Sequence, residues 1–186
     1  MKRIVSAVLL LVICCSWIKA QHASFLGIPM GTSISTFKQQ LLAKNGFKNH
    51  PLPYDNIYGV EGYFAGMKAA ISIITTPKSK LVYSVVVSFD DFNYNTYQYN
   101  ADQKKELQED LFDSIRLKLI KKYGSPTIDN ISYGCNIKWC YWELERMRLD
   151  LMIVNYQDDP TYRKIQVVYQ DRKTAQKNSI EEDSDW

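Results

Sequence analysis

The stretch MRLDLMIVNY, residues 147–156, alternates large apolar side chains at Met147, Leu149, Leu151 and Ile153 with Arg148 and Asp150. Successive residues of a strand point to opposite faces of a sheet, so this pattern predicts a strand with one buried face. Met152 and Val154 leave its other face only partly polar. A sheet made of such strands is expected to be antiparallel, with one side packed on a core and the other available to solvent or a partner.

On either side of this run stand IKWCYWEL, across Glu145-Arg146, and RKIQVVYQ, across Gln157-Asp158-Asp159-Pro160, both of strand length. Upstream, Leu107, Leu111, Ile115 and Leu119 recur at steps of four. Gln103 stands at capping-box spacing from Asn100, Lys118, Lys121 and Lys122 fill the last turn, and Gly124 with Pro126 stops the segment. These are the marks of a helix.

The same grammar stands earlier in the chain. Gly31-Thr32-Ser33 precedes a short amphipathic helix carrying Ile34, Phe37, Leu41 and Leu42, which Gly46 can end. After PLPYDN come GVEGYFAG, MKAAISIITT and KLVYSVVVSF, of which the first, with Gly59 and Gly62, is the weakest strand. The expected fold is α+β, with two helix-plus-three-strand halves, residues 25–90 and 100–171, forming an antiparallel sheet with helices packed on one face. An undivided sheet of the same elements is the alternative. Residues 21–172 form one globular domain in this reading, and KTAQKNSIEEDSDW, residues 173–186, is a polar flexible tail.

Residues 1–20 read as a secretory signal peptide. Met1-Lys2-Arg3 is basic, residues 4–18 are almost wholly apolar, and Lys19-Ala20-Gln21 places a small residue before a polar one. The apolar run is shorter than the roughly 20 residues of a membrane span, and no later segment approaches that length. The mature chain is therefore expected to have no transmembrane span and to lie in the periplasm or outside the cell. Lipid anchoring at Cys14 or Cys15 is the weaker alternative, because Ile13 and Cys14, not small residues, precede them.

The formal charge of +3 belongs to the signal segment. Without Lys2, Arg3 and Lys19, the 23 basic residues fall to 20 against 20 acidic ones. A nucleic-acid partner is not expected from a chain without a basic surplus.

Two cysteines, Cys135 and Cys140, lie in SYGCNIKWCYW. In one continuous strand their Cα atoms would be about 16 Å apart, beyond the roughly 7 Å limit for a bridge. A disulfide requires a turn through residues 136–139, which export permits; otherwise the segment is a strand with two thiols. Zinc or a Cys-His nucleophile would need His22 or His50, which stand far off without metal-ligand spacing. Asp91, Asn93, Asn95 and Asp102 imitate part of a calcium loop, but Thr96 occupies the position that needs Gly. Asp158-Asp159-Pro160 reads as a turn. Phosphate-cradling loops, GxSxG and HExxH are absent from the sequence. No cofactor, metal or catalytic residue is assigned.

The chain has 13 tyrosines, with Tyr97 in the connector FNYNTYQYN and Tyr133, Trp139, Tyr141 and Trp142 around the cysteines. Trp139 and Trp142 cannot share one strand face without a bulge, so at least one aromatic here is expected to be exposed. Trp139, Tyr141, Trp142 and Tyr97 are the candidate interaction surface, suited to an envelope or extracellular protein or a glycan.

FLGIPMGTSISTFKQQLLAKNGF, KLIKKYGSP and the strand ending VVYQD resemble small exported proteins of Bacteroidetes-type bacteria, which implies an envelope or secreted setting and no catalytic residues. The repeated helix-and-strand pattern is also similar to beta-lactamase inhibitory proteins and to small outer-membrane-assembly lipoproteins, which implies work by protein binding. The function expected is a non-catalytic binding or interaction module of the envelope. An envelope enzyme of hydrolase type with an unrecognised site, or a structural assembly factor, is the alternative.

Overall fold

A computed structural model of the chain describes residues 23–89, 101–130, 138–155 and 163–183. Among these, no helix is long and apolar enough to cross a membrane. The fold is α+β. Among the described residues, ten strands, β1 (Ser24–Phe25), β2 (Ile28–Pro29), β3 (Lys48–Asn49), β4 (Ile57–Phe64), β5 (Met67–Thr75), β6 (Val82–Phe89), β7 (Ile128–Asn130), β8 (Trp139–Glu143), β9 (Met147–Asn155) and β10 (Arg163–Asp171), accompany three helices. The helices are α1 (Ile34–Leu42), α2 (Ala101–Tyr123) and α3 (Arg172–Asp183).

Eight strands form one antiparallel sheet in the order β3-β4-β5-β6-β10-β9-β8-β7. Its middle seam pairs β6 with β10, running from Ile165 opposite Phe89 to Gln170 opposite Ser84. The alternation expected of β9 holds: Met147, Leu149, Leu151 and Ile153 are buried. They join Ile71, Ile73, Val85, Val87, Ile165 and Val167 in a single core with Phe37 and Leu41 of α1 and Phe112, Ile115 and Leu119 of α2. One sheet face is thus covered by the helices that precede each run of strands.

Ser33 caps α1, its hydroxyl accepting from the Thr36 N–H. The buried face of α2 is rotated from the expected one: Gln108, Phe112, Ile115 and Leu119 are buried, whereas Leu107 and Leu111 are half-buried. A helix turns every 3.6 residues, so each step of four drifts by about 40°, and a straight helix cannot keep steps of four on one face. The spacing 108, 112, 115, 119 alternates four and three and follows the true period.

Gly59 and Gly62 do not weaken β4; they admit a neighbour. A Cβ at Gly59 would collide with the His50 carbonyl and Leu52, and one at Gly62 with Phe47. Residues 46–52 therefore lie directly on the strand, with the His50 N–H donating to the Gly59 carbonyl at 3.0 Å.

The expected flexible tail is corrected over residues 173–183, which with Arg172 form α3 (Arg172–Asp183). The polarity of this segment is not that of a solvated tail, because its polar groups are used inward. Asp171 caps the helix through the Thr174 N–H and hydroxyl and also accepts from the Ala23 N–H at 2.7 Å. In the last turn, Glu181 accepts from the Lys78 and Ser79 amides and from the Ser79 hydroxyl, at 2.9, 3.0 and 2.5 Å.

Candidate functional site

β8 pairs with β9 in unbroken register, so its side chains sort cleanly by face. Cys140 and Trp142 point into the core, and Trp139 and Tyr141 stand half-buried on the opposite face. Trp142 is accordingly removed from the candidate surface: it is 1% exposed, and its indole N–H donates to the Gly124 carbonyl at 2.7 Å. Its role is to hold the strand against the end of α2. Tyr97 and Cys135 lie outside the described residues.

On the open face, Trp139 stacks obliquely on Tyr141, with ring centroids 5.0 Å apart. The Arg148 guanidinium lies 4.8 Å over the Tyr141 ring. It also grips Asp150 through Nε and Nη2 at 3.0 Å. Trp139 donates to the same carboxylate at 3.2 Å. Register explains the assembly, since Tyr141 is directly opposite Asp150 and Trp139 opposite Met152, with Arg148 on the diagonal from Tyr141. Hydrogen bonding to Asp150 holds the Arg148 guanidinium above its ordinary pKa, so the guanidinium stays charged. The result is a braced patch of two aromatics and a cation.

Sequence reasoning placed Trp139 and Tyr141 here but missed Arg148 and Asp150. Their signal was present: an Arg and an Asp two apart on a partly apolar strand face, next to an aromatic neighbour strand.

The chemistry of Cys140 is that of a core residue. It is fully buried and unbridged, and burial, reinforced by the Asp129 carboxylate, pushes its pKa up to about 12. The thiolate needed for nucleophilic attack or metal binding is therefore strongly disfavoured. His50 is exposed beside β3, and β4 and β8 are five strand spacings apart, about 24 Å. That separation rules out a Cys140-His50 pair. Among the described residues, no three His, Cys, Asp or Glu side chains converge as a metal site.

Against protein-family models, curated proteins and solved structures, the chain shows no match.

Proposed function

We propose that this chain is an exported, non-catalytic binding protein of the bacterial envelope that holds a protein partner on the open face of its sheet. The observation that carries the reading is the patch of Trp139, Tyr141 and Arg148. Trp, Tyr and Arg are the residue types that dominate protein interfaces, because each combines a broad apolar body with a polar group. Here they are also pre-ordered by stacking and by Asp150, which lowers the entropy cost of binding. The envelope setting rests on the signal-like residues 1–20 and on the resemblance to small exported proteins.

The strand order supports a further reading of the architecture as two helix-plus-strand halves that meet at the β6–β10 seam. β3 to β6 follow α1, and β7 to β10 follow α2 in mirrored order. Each half then carries one short edge strand beyond the three expected.

The test is crosslinking and pull-down from the native envelope with the mature chain and its Trp139→Ala, Tyr141→Ala and Arg148→Ala variants. Specific partners should be lost from the variants while their thermal unfolding remains cooperative. Recovery of the same partners in the same amounts by all three variants would show that the face is not the binding surface.

A further inference from the structure

On the helix-covered side of the sheet, two tight turns and α2 enclose a second feature. The β1–β2 and β4–β5 hairpins both turn on a non-Gly residue followed by Gly, with Leu26 and Ala65 at φ 51° and 54°. These are the backbone values of a two-residue hairpin that twists with its strands. The turns place Leu26 and Ala65 at the mouth of a cavity of about 230 Å³. Phe64, Leu119 and Tyr169 line it, together with Lys118 and with Lys122, whose ammonium group lies 4.8 Å over the neighbouring Tyr123 ring. Its walls are held by an aromatic cluster in which Phe25 lies 5.8 Å from Phe64 and 5.1 Å from Tyr169, between ring centroids.

Lysines in the last turns of a helix are expected from the dipole alone, and Lys121 needs no other explanation. Lys118 and Lys122 differ because they rim an apolar cavity whose lining holds no carboxylate. Lys118 uses one of its three donors on the Ala65 carbonyl at 3.1 Å, which fixes the ammonium at the mouth. Lys122 also borders a second concavity, lined by Tyr123, Glu145 and Arg146.

We propose that this cavity binds a medium-chain aliphatic carboxylate, with the chain against Phe64, Leu119 and Tyr169 and the carboxylate between Lys118 and Lys122. The charge complementarity selects an anion, and the apolar walls select an unbranched chain over a sugar or peptide. Size sets the length. At about 30 Å³ per water-sized group, the cavity holds on the order of eight such groups, the chain of octanoate rather than that of a two-chain lipid. This site is independent of the Trp139 patch, and either can fail without the other.

The experiment titrates the mature chain with octanoate, following backbone amide shifts by NMR, with butanoate, hexanoate, octanol and octyltrimethylammonium as comparators. Saturable octanoate shifts are expected at Leu26, Phe64, Ala65 and Leu119. Affinity should rise about fourfold per methylene from butanoate to octanoate, which corresponds to ~0.8 kcal/mol per CH₂. The K118E/K122E double variant should bind octanoate at least about tenfold more weakly and leave octanol binding unchanged. The proposal is overturned if octanoate gives no saturable shifts at these amides into the millimolar range, if octyltrimethylammonium binds as well as octanoate, or if the double variant retains octanoate affinity.

Discussion

Cys140 shows how completely an environment decides what a reactive residue can do. In sequence it sits among aromatics near another cysteine, the setting of a staple or a nucleophile. In the fold it is sealed behind β8, next to Trp142 and opposite Asp129, and its neutral form is favoured. Asp129 is itself held by Arg116 of α2, which donates from Nε at 3.0 Å, so the nearby charge is fixed in place. Alkylating reagents should therefore leave Cys140 unmodified in the native chain at mildly alkaline pH and modify it after denaturation, as read by peptide mass spectrometry. The same shift predicts the pH dependence of stability. A thiol whose native pKa is raised from 9 to about 12 keeps its proton when folded and loses it when unfolded between those values. Stability should thus fall as pH rises above about 9, by roughly 1.4 kcal/mol per pH unit from this group. Cys140→Ala should flatten that alkaline slope in chemical denaturation, and an unchanged slope would assign it to other groups, Tyr169 among them.

At the scale of elements, α3 carries a prediction of its own. Hydrogen bonds from Ser79 and Lys78 hold the Glu181 carboxyl down at about 2, against an ordinary value of 4.5. A depressed carboxyl pKa contributes stability that is fully present above its unfolded value and is lost as pH falls through the folded one. Amides of α3 should keep their hydrogen-exchange protection at about pH 5 and lose it toward pH 2 ahead of those in β6 and β10. Glu181→Gln should weaken that protection at all pH values and remove its pH dependence. Protection of α3 that is the same in the variant and in the parent would show that the helix is held by other contacts. The element also marks where sequence reading stopped. The strands were legible because apolar alternation such as that of MRLDLMIVNY reports burial directly. α3 was not, because Thr174 and Glu181 are buried by polar bonds, at a cap and to partners about 100 residues away respectively, which no local periodicity reveals. Gly59 and Gly62 were misleading for a similar reason, since what they accommodate is another segment. For the candidate face, period two separated Trp139 from Trp142, but only the register between β8 and β9 brought Arg148 and Asp150 to Tyr141.

The whole molecule is organised by the β6–β10 seam. The strands with which the two runs end lie side by side over six paired positions, and their inward residues share one core with α1 and α2. Whatever the origin of the two runs, they share one core: Val85 and Val87 on β6 belong to the same buried cluster as Val167 on β10 and Leu151 on β9. A chain built this way should unfold as one cooperative unit. Tryptophan fluorescence of the mature chain carrying Trp186→Phe, which leaves Trp139 and Trp142 beyond the seam as its reporters, should give the same urea midpoint as far-UV circular dichroism, which averages over every element. Ile73→Ala on β5, a buried large-to-small change, should lower stability by about 2–5 kcal/mol. It should also move the tryptophan transition as far as the dichroism transition, although β5 and β8 are separated in the sheet by β6, β10 and β9. Two separated transitions, with the tryptophan signal insensitive to Ile73→Ala, would mean that the seam is a contact between two independently stable halves rather than the centre of a single folding unit.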